Sequence, residues 1–414
     1  MNKVPAFYYK SYNWSVERDV LDVAFSFNAG NYSFAPKLTF KNVDPERASR
    51  LKGSIDKLVF HIGLIELLSY WKAFVTPRIV VECGDLDSYQ KKWWKDLLLQ
   101  GMGQFFYENN INFTKANFVE FQSLSDKNIK NKIYETYSQK VMVPVGGGKD
   151  SALTLSLIGA SFKDVSAFSL NPQKAAIKVV KLSGLKSLIV ERALDGKLID
   201  LNKKGFPNGH TPFSALLSFV SLLAAVLKDF GTVIFSNERS SDEENTKFLG
   251  RKINHQYSKT LEFENKFRQY NQRYLTNINY FSFLRPLYDL QIAKIFSKMD
   301  KYHMAIRSCN VGQKQGIWCG KCPKCLSTYI LFYPFLKSKT VDIFGKDLLK
   351  DASLKPILSL LTEPSLVKPF ECVGTKNELV AAYSGVGIEK ILEFWGVHNL
   401  PEKYEDLLKK EVFK

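Results

Sequence analysis

The period of the apolar positions changes about a third of the way along the chain. Val20 to Phe27 and Tyr32 to Phe40 alternate apolar with small or polar residues, as half-buried strands do, and the Asn28-Ala29-Gly30-Asn31 turn between them predicts a hairpin. Leu58 to Phe74 places its apolar residues at helical spacing, and Arg78 to Glu82 reads as a short strand. The polar stretch Ser123 to Lys132 is a candidate boundary. From about residue 139 strands and helices alternate. Lys140–Val145, Val165–Leu170, Ser187–Val190 and Thr232–Phe235 read as strands, and Ser151–Ala160 and Thr211–Leu227 as helices. Strands separated by helices imply a parallel sheet with ligands beyond the carboxyl ends of its strands. Val341 to Lys414 reads as mostly helical. The expected fold class is α/β: an N-terminal α+β region over 1–135, a parallel-sheet core over 136–335 and a helical C-terminal region over 336–414.

Composition narrows the class of protein. The apolar run Phe213–Leu227 spans 15 residues, short of the roughly 18 that a membrane span needs, so a buried helix is the better reading. Met1 to Lys10 has neither the apolar stretch nor the cleavage site of a signal peptide, which makes the cytoplasm the expected location. A net charge of +17 raises the question of nucleic acid. However, 47 of the 58 basic residues are Lys rather than the Arg used for bidentate reading, and they are scattered instead of gathered into an arm. Compositional bias or small polyanionic substrates account for the same excess.

The strongest local chemistry follows the strand at Lys140–Val145. Gly146-Gly147-Gly148-Lys149-Asp150-Ser151 puts three glycines between a buried strand and a helix, where backbone amides and the helix start form an anion cradle. It is not a Walker A loop, because Asp150 separates Lys149 from Ser151, and Ser151 stands where a dinucleotide fingerprint needs its last glycine. The plain structural alternative is a glycine turn with Asp150 as helix cap. A second cluster gathers four of the six cysteines within 17 residues: Cys309, Cys319, Cys322 and Cys325. In a cytosolic chain that spacing points to a closed, structural tetrahedral zinc site; a redox Cys-x2-Cys pair is the competitor.

The loop resembles the PP-loop of the ATP pyrophosphatase superfamily, Ser-Gly-Gly-x-Asp-Ser, with Gly146 replacing the usual Ser. Arg285-Pro286-Leu287 followed by Gln291 and Lys294 resembles a further segment of that superfamily. The resemblance implies cleavage of ATP to AMP and diphosphate, with Gly147, Gly148, Asp150 and Ser151 holding diphosphate and Mg²⁺. The cysteine cluster resembles the zinc knuckle of deazaguanine synthases, although about 140 residues precede the loop here. Blocks across the chain are similar to the MurL family, the ATP-dependent UDP-N-acetylmuramoyl-L-alanyl-L-glutamate epimerases. They are Phe60-His61-Ile62-Gly63-Leu64, Pro144 to Ser151, Gly209-His210-Thr211-Pro212-Phe213, Ser236-Asn237-Glu238, Asn254-His255-Gln256-Tyr257-Ser258, Trp318 to Cys325, and Lys368-Pro369-Phe370-Glu371-Cys372.

That resemblance implies a UDP-muramoyl-dipeptide substrate, an acyl-adenylate at the glutamyl carboxylate, and proton exchange at the α-carbon during peptidoglycan precursor synthesis. Acid–base groups must then flank the substrate, and His210, His255, Glu238, Glu371 and Cys372 are the candidates, beside the catalytic loop carboxylate of Asp150. Each has a plainer reading: His210 as part of a helix start, His255 as a loop residue, Glu238 and Glu371 as solvated acids, Cys372 as an inert thiol. His61, His303, His398 and Cys83 read as structural or surface groups. Two other functions compete: a PP-loop enzyme that adenylates tRNA or a nucleobase, and a non-catalytic nucleotide- or RNA-binding module.

Overall fold

The computed structural model describes residues 4–124 and 133–413. Its strands are β1 (Phe7–Glu17), β2 (Val20–Ala29), β3 (Tyr32–Phe34), β4 (Lys37–Phe40), β5 (Arg78–Val81), β6 (Glu120–Ser123), β7 (Val141–Pro144), β8 (Val165–Leu170), β9 (Lys186–Ala193), β10 (Thr232–Phe235), β11 (Thr246–Phe248), β12 (Arg251–Ile253) and β13 (Asn279–Ser282). Among the described residues one 11-stranded sheet runs in the order β13-β10-β7-β8-β9-β4-β2-β1-β5-β6, with β3 beside β2. The five strands from β13 to β9 are mutually parallel, β9-β4-β2-β1 pair antiparallel, and β1-β5-β6 are parallel again.

The sheet does not stop where composition changes. β4 pairs with β9 through Lys37–Ala193 to Phe40–Val190, so residues on both sides of position 135 share one sheet. The polar stretch taken as a boundary falls largely on residues 125–132, outside the described residues. The expected hairpin forms between β2 and the segment after it, but Ala35 and Pro36 split that segment into β3 and β4. β1, the longest strand, has no counterpart in the sequence reading: only Phe7 and Tyr9 are fully buried along it, and a register shift at Tyr9/Ser11 breaks its alternation.

Alternate residues of the central strands feed two cores. Met142, Phe168, Val233, Phe235 and Tyr280 belong to one cluster, and Val141, Val143, Ala167, Ile234 and Phe281 to the other. Since side chains alternate across a sheet, the two cores are its two faces. The first face is covered by the helices Lys52–Glu66 and Phe213–Lys228, which pack on each other. The second is covered by Lys149–Ser161, Asp289–Phe296 and Pro323–Leu336, and by the C-terminal helix Glu402–Val412. A buried Glu66 carboxylate receives both Nε (2.8 Å) and Nη2 (2.9 Å) of Arg192, which ties the first helical layer to β9. No helix among the described residues is long and apolar enough to cross a membrane.

Candidate active site

In the parallel half of the sheet, β7 lies between β8 and β10, so the chain leaves it to one side and later returns on the other. The carboxyl end of such a strand is the crevice where open α/β sheets bind ligands. Gly146 to Ser151 follows β7 there. Gly147 is required twice over: its φ is +92°, and a Cβ would lie 2.5 Å from the Ala176 backbone nitrogen. The helix begins at Lys149, two residues earlier than the apolar pattern predicts, because Gly148 is its cap. Asp150 therefore sits in the first turn rather than capping, and no side chain caps this end. The uncapped helix start, with open space beside Gly146, suits a phosphate group. The Ser151 hydroxyl donates to Gly148 O at 3.2 Å.

The neighbouring parallel strands bring the counter-groups. After β10 comes Glu238, and after β13 come Arg285 and Asp289; all three are buried. Lys149, itself buried, bonds Asp150 Oδ1 at 2.6 Å and also the Asp289 carboxylate. Burial opposes the ammonium, but Asp150 and Asp289 outweigh it and its pKa is raised. Burial likewise works against the Asp289 carboxylate, and Lys149 and Lys324 more than compensate, holding its pKa down. Glu238 goes the other way. Burial first, then the fields of Asp150 and Asp289, push its carboxyl up to about 7.

Beside this cluster stands the thiol. Lys259 Nζ donates to Cys372 Sγ at 3.0 Å. Burial raises the pKa of that thiol, but Lys259 and Lys324 overcome the effect and lower it. Lys324 holds the segment in place: its ammonium bonds the Cys372 carbonyl, and its backbone N–H donates to Glu371 Oε2 at 3.2 Å. The Glu371 carboxyl is raised, chiefly by burial. Buried Arg285 donates to the carbonyls of Glu238 (2.7 Å) and Lys259, fixing both loops from beneath. The imidazoles of His210 and His255 lie 4.5 Å apart, centroid to centroid. Both are depressed: His210 to about 3, chiefly by burial with His255 next, and His255 to about 4, chiefly by burial with Lys259 next. Both are neutral at pH 7, and the Gln104 carboxamide oxygen accepts from Nδ1 of His255 at 2.5 Å.

The four cluster cysteines meet as their spacing implies, with all sulfurs within 4.8 Å of one another. Cys309 and Cys322 are 3.9 Å apart and Cys319 and Cys325 3.7 Å. Tetrahedral zinc with Zn–S near 2.3 Å requires sulfurs about 3.8 Å apart. Backbone N–H groups of Gly312 and Lys321 donate to Cys309 and Cys319 sulfurs at 3.1 and 3.4 Å, the support that thiolate ligands receive around a metal. The donor set thus fits a closed, structural zinc site.

Other histidines fall away from this region. His61 is buried against Lys57 O at 2.8 Å, His303 against Phe296 O at 3.1 Å, and His398 accepts from Trp395 Nε1 at 3.2 Å. Lys259, Lys324 and Asp289 were not singled out from the sequence. The available signals were adjacency: Lys259 directly follows the block Asn254 to Ser258, and Lys324 lies between two cysteines of the knuckle.

A mixed α/β sheet with a glycine loop at the switch point of its parallel strands, and Glu238, Lys259 and Cys372 gathered near that loop, defines an α/β protein with a candidate ligand site at this sheet edge. The family models for the MurL N-terminal domain and the MurL C-terminal domain match residues 1–283 and 305–397. Three relatives carry the name UDP-N-acetyl-alpha-D-muramoyl-L-alanyl-L-glutamate epimerase. That of Micromonospora is 31% identical over 93% of this chain and 87% of its own length. That of Xanthomonas oryzae is 34% identical over 77% and 71%, and that of Salinispora tropica 30% over 94% and 86%. The chain belongs to the MurL family.

Proposed function

We propose that the protein is an ATP-dependent epimerase that converts UDP-N-acetylmuramoyl-L-alanyl-L-glutamate to its D-glutamate form during peptidoglycan precursor synthesis. The α-proton of an unactivated glutamate is hard to remove because the adjacent carboxylate resists further negative charge. Adenylation of that carboxylate, with release of diphosphate, cancels its charge and acidifies the proton. A base on one face then takes the proton, an acid on the other returns one, and water releases AMP. Family membership supports the substrate. The observation that carries the chemistry is the shared cluster in which Lys149 and Asp150 of the glycine loop lie in the field of buried Glu238 and Lys259. Phosphoryl chemistry and proton exchange therefore have one place to occur.

In this reading the amides of Gly146 to Gly148 and the helix start bind the phosphates, as a PP-loop does. Lys149 offsets their charge, and Asp150 supplies a carboxylate for Mg²⁺, which when bound stabilises the leaving diphosphate. Glu238, near neutrality in its proton affinity, and Cys372 are the acid–base pair. Glu371 and the neutral pair His210 and His255 border the substrate as hydrogen-bonding groups. Zinc at the four cysteines is structural, holding Lys324 and through it the segment of Glu371 and Cys372. The test is turnover in D₂O with ATP and Mg²⁺: deuterium should appear at the glutamate α-carbon of the D-product, together with AMP and diphosphate. No exchange and no diphosphate with that dipeptide would refute the reading, and stimulation of AMP release by tRNA or carboxydeazaguanine would replace it.

A further inference from the structure

Cys372 does not meet Lys259 by chance of surface flexibility. The lysine lies at the end of the short helical turn Tyr257–Lys259, between the strand pair β11–β12 and the helix Leu261–Tyr274. Its carbonyl is pinned by fully buried Arg285, and its ammonium reaches Cys372 Sγ at 3.0 Å and Gln256 Oε1 at 3.5 Å. No carboxylate within ion-pairing distance of this ammonium is found among the described residues. On the other side, the Cys372 carbonyl is pinned by Lys324. Two loops far apart in sequence are thus fixed so that one ammonium faces one sulfur. An ammonium held against sulfur, without a carboxylate to satisfy it, is the arrangement that makes a cysteine a base or nucleophile.

We propose that Lys259 is the positioning residue of Cys372: its ammonium fixes the place and the charge of the sulfur, and the sulfur so held exchanges the proton of the substrate's α-carbon. This rests on the epimerase reading for the identity of the proton. In the abstraction step the α-carbon–hydrogen bond breaks and a sulfur–hydrogen bond forms. The electron pair left on the α-carbon delocalises onto the acyl oxygen. A proton delivered from the opposite face completes inversion, and the Cys372 proton is afterwards lost to solvent. The charged groups facing the sulfur include Lys259 and Lys324, which favour the thiolate, and Asp150 and the adjacent Glu371 carboxyl, which oppose it.

The experiment is alkylation of the full-length protein by iodoacetamide across pH 6 to 10, with Cys372 followed by peptide mass spectrometry so that the knuckle cysteines and Cys83 do not interfere. Wild-type Cys372 should be half-maximally reactive below the free-thiol value of about 8.5. Lys259→Met should move that midpoint up by about one pH unit or more, slowing alkylation about tenfold at pH 7, and Lys259→Arg should restore most of the rate. Coincident midpoints in wild type and Lys259→Met would overturn the proposal even if the wild type exchanges deuterium. If Lys259→Met is poorly folded, Lys259→Arg decides alone: a shift upward as large as that expected for the Met variant refutes a charge-based role. Absence of epimerisation with a lysine-dependent midpoint would instead refute the substrate reading and leave the activated thiol standing.

Discussion

Glu238→Gln is expected to stabilise the protein at neutral pH while removing activity. Burial, then Asp150 and Asp289, raise the Glu238 carboxyl from 4.5 to about 7. Between those values the folded chain keeps a proton that the unfolded chain has released, so stability falls as pH rises through this window and levels off above it. A gap of about 2.5 pH units, at about 1.36 kcal/mol each, corresponds to about 3 kcal/mol. The glutamine does not titrate, and its NH₂ stands in for the proton of the neutral acid. The variant should therefore match the wild type near pH 4.5 and exceed it by up to about 3 kcal/mol at pH 8. Glu378, buried and also raised to about 7 by burial and then Asp289, contributes a similar slope to both proteins, so the difference isolates Glu238. Urea denaturation at pH 5 and pH 8, read as a midpoint difference at unchanged slope, measures the effect. A variant-minus-wild-type difference that is the same at both pH values would refute the reasoning. Greater stability combined with lost epimerisation marks a group retained for function at the expense of stability.

Asp150→Asn should keep the fold, since Lys149 retains its bond to Asp289, but lose at least about tenfold in diphosphate release if its carboxylate serves Mg²⁺; unchanged release would remove it from the site. Purified protein should contain one zinc per chain, and Cys322→Ser should lose it and lower the melting temperature as well as the rate, because ligand binding energy is folding energy at such a site. Four freely titratable knuckle thiols in the wild type would contradict this. Cys372→Ser should abolish deuterium incorporation while diphosphate release continues, and loss of both together would point to a binding role for Cys372.

The parts of the site that were legible in the sequence are those whose chemistry is local. Gly146 to Ser151 lies in one turn after one buried strand, and the four cysteines converge within a single knuckle, so spacing alone carries both. Glu238 was legible because it follows a strand end, where a parallel sheet gathers ligands. Lys259, Asp289 and Lys324 were not, because a lysine or aspartate on a loop has no distinctive pattern until tertiary structure sets it against Cys372, Lys149 or a carbonyl. The fold shows the same division. Alternation found β2 and the segment of β3 and β4, and short apolar runs found β5, β7, β8, β9 and β10, whereas β1, buried mainly at one end and bulged, lacks the period that would reveal it. The polar stretch before β7 reads as a separation, yet β4 and β9, some 150 residues apart, pair across it. Pairing at that distance leaves no local trace.

Burial and the lack of an ion-pair contact explain why Glu238 keeps its proton toward neutrality, as buried Glu378 also does. Lys149 contacts Asp150 and Asp289, Lys259 contacts the Cys372 sulfur, and the field of Lys324 acts on both Asp289 and Cys372. Arg285 is already matched, its guanidinium beside Asp242 and Glu264 and its N–H groups on carbonyls. The Glu238 carboxylate, by contrast, has no ion-pair partner among the described residues, only the fields of Lys259 and Lys149. In a buried site an unmatched carboxyl keeps its proton until about pH 7, whereas a matched one cannot hold it. In the proposed mechanism this difference would divide the roles: Cys372, held by Lys259, would accept a proton, and Glu238 would hold one for delivery. An inversion at carbon needs one group of each kind, on opposite faces, at the same pH.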